Sequence, residues 1–152
     1  MTEETNEVEK FDDRVLALAK HLSESPTEIE EADYGDNTFK YGREEWLVLT
    51  DDEADAAARE QIEQSLWSFS PSFIARYTGR NLSQAAQKAL GEAQEKLCED
   101  ANDLVGALIH NMDEFVRDAI NELGREHFLS QYDGAEWDAK IGDTTYYLYR
   151  TN

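Results

Sequence analysis

The segment AEWDAKIGDTTYYLYRTN, residues 135–152, alternates apolar and polar side chains on both sides of Gly142-Asp143. A period of two suits half-buried strands and no helix, and a two-residue connection led by glycine closes them into a hairpin. The implied register sets Ile141 opposite Thr144, Ala139 opposite Tyr146 and Trp137 opposite Leu148, all on one face. Glu136, Asp138 and Lys140 share the other face with Tyr147 and Tyr149. A slip of one residue would turn the whole apolar set to water, so the register is strongly specified. The rest of the chain must supply something apolar to cover that face.

A second segment, NTFKYGREEWLVLT at 37–50, has the same form around Gly42-Arg43. Its register sets Tyr41 opposite Glu44, Lys40 opposite Glu45 and Phe39 opposite Trp46. Phe39, Trp46 and Val48 then share one face. The remainder has helical spacing. Phe11, Val15, Leu18 and Leu22 mark an amphipathic helix from Lys10 to Leu22. TDDE at 50–53 forms a capping box, with Thr50 as N-cap and Glu53 at the third helical position, for a helix running to about Trp67. Ala54, Ala58, Ile62 and Leu66 face inward along it. Ser70-Pro71 starts a short helix that Gly79 ends. Ser83 caps a long helical stretch whose inward stripe is Ala86, Leu90, Ala93, Leu97, Ala101, Leu104 and Leu108, weakened at Gly91 and Gly106, where a bend or break is expected. Asn111 caps the next helix, with Met112, Phe115, Val116, Ala119, Ile120 and Leu123 inward, and Gly124 ends it. The expected fold is therefore α+β: two hairpins in a small antiparallel sheet, packed with about four to five helices. One domain should span 10–152 behind a flexible N-terminus at 1–9.

Composition permits this. A chain of 152 residues buries roughly 70% of the surface its unfolded form exposes, and 40% hydrophobic residues with 16 aromatics can fill a core. No apolar run approaches a membrane span, the acidic start MTEETNEVEK is the opposite of a signal peptide, and a lone cysteine, Cys98, excludes an internal disulfide. These features suit a cytoplasmic protein. Thirty-four acids against 14 Lys plus Arg give a net charge of −20. Such a field repels DNA, RNA and anionic lipid, and attracts a basic protein partner.

Local chemistry is sparse. DYGDNTFKYGRE at 33–44 has acids at both ends of an EF-hand-sized loop, but position three is Gly35 and position six is Thr38, so calcium is not expected. His21, His110 and His127 show no metal-ligand spacing. There is no phosphate loop and no nucleophile elbow. No metal, cofactor or catalytic residue is assigned, and no enzymatic activity is expected. The acids do cluster. Asp51, Asp52, Glu53 and Asp55 form one group, while Glu92, Glu95, Glu99 and Asp103 form a stripe away from the apolar one. Carboxylates three or four residues apart on a helix stand about 5–6 Å apart, close to the spacing of phosphates along a DNA strand. A solvated helix face is the plain alternative.

The stretch GREHFLSQYDG, residues 124–134, gathers Arg125, His127, Ser130, Tyr132 and Asp133. As structure it is a corner: Gly124 ends a helix, Phe128 and Leu129 plug the core, and Asp133-Gly134 turns the chain into a strand at 135–141. As chemistry, His127 and Asp133 could form an oriented acid–base pair beside Arg125, although no activated nucleophile is evident.

GREHFLSQYDGAEWD (124–138) followed by YYLYRTN (146–152), together with EEWLVLTDDEADAAAREQIEQSLWSFSPSFIARYTG (44–79), resembles segments shared by small acidic proteins of bacteriophages, plasmids and prophages. The likeness covers 58 residues. In that group glycine often stands where this chain has Glu126, and an acid where it has Ala135. Those departures count against a strict catalytic role for the loop. The resemblance implies a bacterial host cytoplasm and an acidic protein of the anti-CRISPR or anti-restriction type, which occupies the DNA-binding cleft of a basic host complex as a DNA mimic. Two other uses stay open: a non-catalytic contact or homodimer through Tyr147 and Tyr149, and a small enzyme centred on Arg125, His127 and Asp133.

Overall fold

A computed structural model describes residues 11–33 and 35–152; the segment 1–9, expected to be flexible, lies outside them. The fold is α+β. The chain divides into two compact units, Met1–Ala57 with Arg125–Asn152, and Ala58–Gly124. The first holds the sheet and the second is helical.

The sheet unit begins with α1 (Asp13–Leu22), capped by Asp12. Five antiparallel strands follow in the spatial order β1-β2-β3-β5-β4: β1 (Ile29–Glu31), β2 (Thr38–Tyr41), β3 (Glu44–Thr50), β4 (Trp137–Ile141) and β5 (Thr144–Arg150). Both hairpin registers are those the alternation dictates. Phe39 pairs with Trp46, Lys40 with Glu45 and Tyr41 with Glu44. Trp137 pairs with Leu148, Ala139 with Tyr146 and Ile141 with Thr144. The reason is the turn: Gly42 and Gly142 both take φ of +61°, which a side chain disfavours and a tight hairpin connection needs. β3 joins the hairpins by pairing with β5. Val15, Leu18 and Ala19 of α1 pack on Phe39, Trp46, Val48, Ala139, Tyr146 and Leu148, so the common apolar face is the core.

Three features of this unit differ from expectation. β1 is an added edge strand, too short and too acidic (IEE) to announce itself. The corner after Gly124 is a short helix, α7 (Arg125–Leu129). The opposite sheet face is also not open, as expected for a tyrosine surface. Tyr149 is completely buried and Leu49 nearly so. α7 packs on β5, and the Arg125 guanidinium lies 4.6 Å from the Tyr147 ring centroid. Tyr149 is therefore a core residue and offers no contact surface.

In the helical unit the chain ends α2 (Asp51–Gln64), turns through a 3-10 segment (Leu66–Ser68) and enters α3 (Pro71–Ala75), α4 (Gln84–Leu97), α5 (Asn102–Leu108) and α6 (Met112–Leu123). The expected caps form: Ser70, Ser83 and Asn111 accept from Phe73 N, Ala86 N and Glu114 N at 3.2, 3.0 and 3.2 Å. Ala54, Ala58 and Ile62 of α2 are fully buried, and Leu66 is nearly so. An aromatic cluster of Phe69, Phe73, Tyr77 and Phe115, with centroids 5.0–5.5 Å apart, anchors this core.

The long helix does break, but at neither glycine. Cys98, with φ 51° and ψ −126°, ends α4, and a 3-10 turn (Cys98–Ala101) leads into α5. The break resets the helical phase, so the inward set becomes Leu90, Gln94, Ala101 and Val105, while Leu97 and Leu104 are 44% and 41% exposed. Leu123 is likewise exposed near the end of α6. The glycines serve close packing instead. A Cβ on Gly91 would come 3.2 Å from Pro71 Cγ, and one on Gly106 would come 3.6 Å from Leu66 Cδ1.

Candidate interaction surface

The two acid clusters prove unlike each other. At the start of α2, Thr50 and Glu53 complete the capping box: Thr50 N donates to Glu53 Oε1 at 2.9 Å, and Glu53 N to Thr50 Oγ1 at 3.4 Å. Glu53 also receives both guanidinium nitrogens of Arg14, at 2.7 and 2.9 Å. That bidentate bond from Arg14, against the opposing effect of burial, holds the Glu53 carboxyl at about 2. Arg14 further donates to the Val48 carbonyl at 2.9 Å, tying α1 to β3. Asp51 and Asp55 are taken too, by Arg125 at 2.7 and 3.1 Å. Three of the four carboxylates expected to meet a partner here are thus already paired with arginines of this chain. Asp52 alone stays exposed without a cation among the described residues.

Arg125 is the centre of this arrangement. Its side chain is only 11% exposed, and it also donates to Glu136 at 3.0 Å and to the Asp51 carbonyl at 3.1 Å. Burial works against its charge, but the hydrogen bond to Asp51, with Tyr149 and Glu136 close by, raises its pKa further. Tyr149 donates a short hydrogen bond to Glu136, and its own pKa is raised, first by burial and then by that bond.

The other members of the 124–134 stretch each have different partners. Asp133 accepts from Ala135 N at 3.1 Å and lies 2.8 Å from Ser130 Oγ, which is equally near the Arg150 carbonyl. That is loop closure at a turn. The exposed His127 packs edge-on to Phe128, with ring centroids 4.9 Å apart. The His127–Asp133 pair that the sequence allowed does not form: Ser130 and the Ala135 N–H hold Asp133 Oδ1, and His127 lies against Phe128. Tyr132 is 57% exposed, with the Arg150 guanidinium 3.7 Å from its ring centroid. The stretch is a structural corner, and its three proposed chemical groups do not bond one another.

In the helical unit four of the eleven acids are held by arginine or tyrosine partners. Arg59 holds Glu63 and Asp113 at 2.7 and 2.6 Å, Arg76 holds Glu122 at 2.8 Å, and Asp118 accepts from the Tyr77 hydroxyl at 2.7 Å. Glu92, Glu95, Glu99 and Asp103 differ. All four are exposed, and none meets a cation among the described residues. The break at Cys98 divides them: Glu92 and Glu95 lie on α4, Glu99 on the 3-10 turn and Asp103 on α5, so the expected continuous stripe is two pairs. Each pair edges a hollow. Glu99 and Asp103, with Asp100, Gln64 and Asn102, surround one of about 530 Å³. Glu92 and Glu95 edge another of about 560 Å³, walled by Trp67, Phe69 and Pro71.

Two amides that sequence reasoning passed over shape this region. Asn102 accepts from Trp67 N at 2.9 Å and donates to the Gln64 carbonyl at 2.6 Å. Gln94, only 5% exposed, donates through Nε2 to the Trp67 and Phe69 carbonyls at 2.8 and 2.6 Å. Both satisfy backbone groups freed where the chain leaves α2. A glutamine at an inward helical position was the signal available for Gln94; Asn102 had none. Among the described residues no group of three or more His, Cys, Asp or Glu is placed to hold a metal ion, and no helix is long and apolar enough to cross a membrane. No protein-family model, curated protein or solved structure matches this chain.

Proposed function

We propose that this protein is a stoichiometric binder of a basic, nucleic-acid-binding complex of a bacterial host, and that it inhibits or modulates a defence machine of the anti-CRISPR or anti-restriction type. Glu92, Glu95, Glu99 and Asp103, all in the helical unit, provide the contact. What supports this reading is their grouping: Glu92, Glu95, Glu99 and Asp103 follow one another along α4, the 3-10 turn and α5, all exposed and without a cation among the described residues, while arginines hold Glu63, Asp113 and Glu122 of the same unit. Unpaired surface charge speeds encounter with an opposite surface and keeps nucleic acid away. The mimicry is one of charge, since the break at Cys98 spoils a regular row of phosphate-like groups.

The test is capture of partners from a bacterial lysate, eluted with a salt gradient, using the natural protein and the variant Glu92→Gln, Glu95→Gln, Glu99→Gln, Asp103→Asn. The variant should keep its circular dichroism spectrum and lose the salt-eluted partner. Capture of the same partner by the variant at the same salt concentration would sink the reading.

A further inference from the structure

We infer that the hollow between Trp67, Pro71 and α4 is a receptor for one arginine side chain of the protein partner. This inference rests on the acidic-face reading, because Glu92 and Glu95 belong to both. The hollow has the volume of an ordinary side-chain or small-ligand pocket, about 560 Å³. Its walls are mixed: Trp67, Phe69 and Pro71 give apolar surface, Glu92 and Glu95 give two negative charges, and Lys88 gives one positive. The net charge is negative, and the aromatic wall suits a flat cation.

Gln94 supplies an independent observation. It lines the same hollow, and both of its amide hydrogens are committed to the Trp67 and Phe69 carbonyls. That commitment fixes which end is oxygen, and Oε1 is left as a buried acceptor with no partner among the described residues. A buried acceptor without a donor is costly and rare, so a donor is the natural complement. Arginine meets all three demands at once. Its guanidinium stacks on indole, bonds carboxylates in a planar fork and carries five N–H donors, enough to serve Gln94 as well. Lysine offers a compact ammonium without the planar match, and an uncharged side chain leaves the carboxylates unanswered. Gly91 keeps the wall in place: its missing Cβ lets α4 stand against Pro71.

The probe is N-acetyl-arginine amide, titrated into the full chain while the Trp67 indole and Gln94 side-chain amide signals are followed by NMR. N-acetyl-citrulline amide, of the same shape without the charge, is the control. Saturable shifts at both residues, with a roughly millimolar dissociation constant, are expected for the arginine compound alone. Glu92→Gln with Glu95→Gln, both exposed, should weaken it about tenfold. Absence of saturable shifts, or equal shifts with citrulline amide, overturns the inference. Its failure is distinguishable from that of the wider reading. If the four-carboxylate variant loses its partner but arginine amide leaves Trp67 unmoved, the receptor is wrong and the acidic face stands. If partner capture ignores the four carboxylates, the face is wrong and the receptor falls with it as a partner site, even where arginine amide titrates Trp67.

Discussion

Glu53 shows how a single residue can look like a binding group and serve as a joint. Sequence alone placed it correctly in the capping box, because Thr50 and Glu53 stand three apart before an apolar helix pattern. Its tie to Arg14, 39 positions away, was invisible: no local rule brings α1 against β3. The pairing has a pH signature. The Glu53 carboxyl titrates at about 2 against an ordinary 4.5. A depressed pKa contributes stability that is full above 4.5 and lost as the pH falls toward 2. The expected outcome is that Glu53→Gln removes part of the slope of stability against pH between 4.5 and 2, read from urea midpoints. The effect should be smaller than the shift alone suggests, since the side chain is 38% exposed and water screens the pair. An unchanged slope would mean that Arg14 does not hold the carboxylate in solution.

At the scale of elements, hairpins and caps were legible because their causes are local. A glycine turn fixes register, and Ser, Thr or Asn before a helix satisfies its first N–H groups. The long helical stretch was misjudged for the opposite reason. Gly91 and Gly106 look like weak points by propensity, yet they lie inside α4 and α5 where neighbouring side chains press close. The chain breaks at Cys98, a residue with no special liking for φ of +51°. A non-glycine residue in that region costs of order 1–3 kcal/mol. Cys98→Gly should therefore raise stability by about 1 kcal/mol, measured by chemical denaturation, and a lowered midpoint would show that the Cys98 side chain contributes more than the strain costs. The same break explains why the acidic stripe drawn from spacing became two pairs, each edging its own hollow.

For the whole molecule the governing quantity is charge. The sheet unit holds 23 acids against 8 Lys plus Arg, net −15, and the helical unit 11 against 6, net −5. Composition announced the total; its division into arginine-bound and unbound carboxylates depends on tertiary contacts, which no periodicity encodes. A net charge of this size strains the folded state by self-repulsion. Raising sodium chloride from roughly 10 to 150 mM shortens the screening length from about 30 to 8 Å. The melting temperature should rise by several degrees over that range, as followed by circular dichroism. A fall would mean that the internal arginine bonds, which salt also weakens, dominate the balance.

The sheet's two borders give the acidity another role. β1 and β4 each have one side unpaired within the sheet, and their exposed residues include Glu30 and Glu31 on one and Asp138 and Lys140 on the other. Such borders are adhesive toward further strands unless charge holds them apart. Near the isoelectric point of about 4.3 the carboxylates take up protons and the molecules no longer repel. The acidity thus sets a floor on the pH at which separate copies stay dispersed, whatever partner they meet above it.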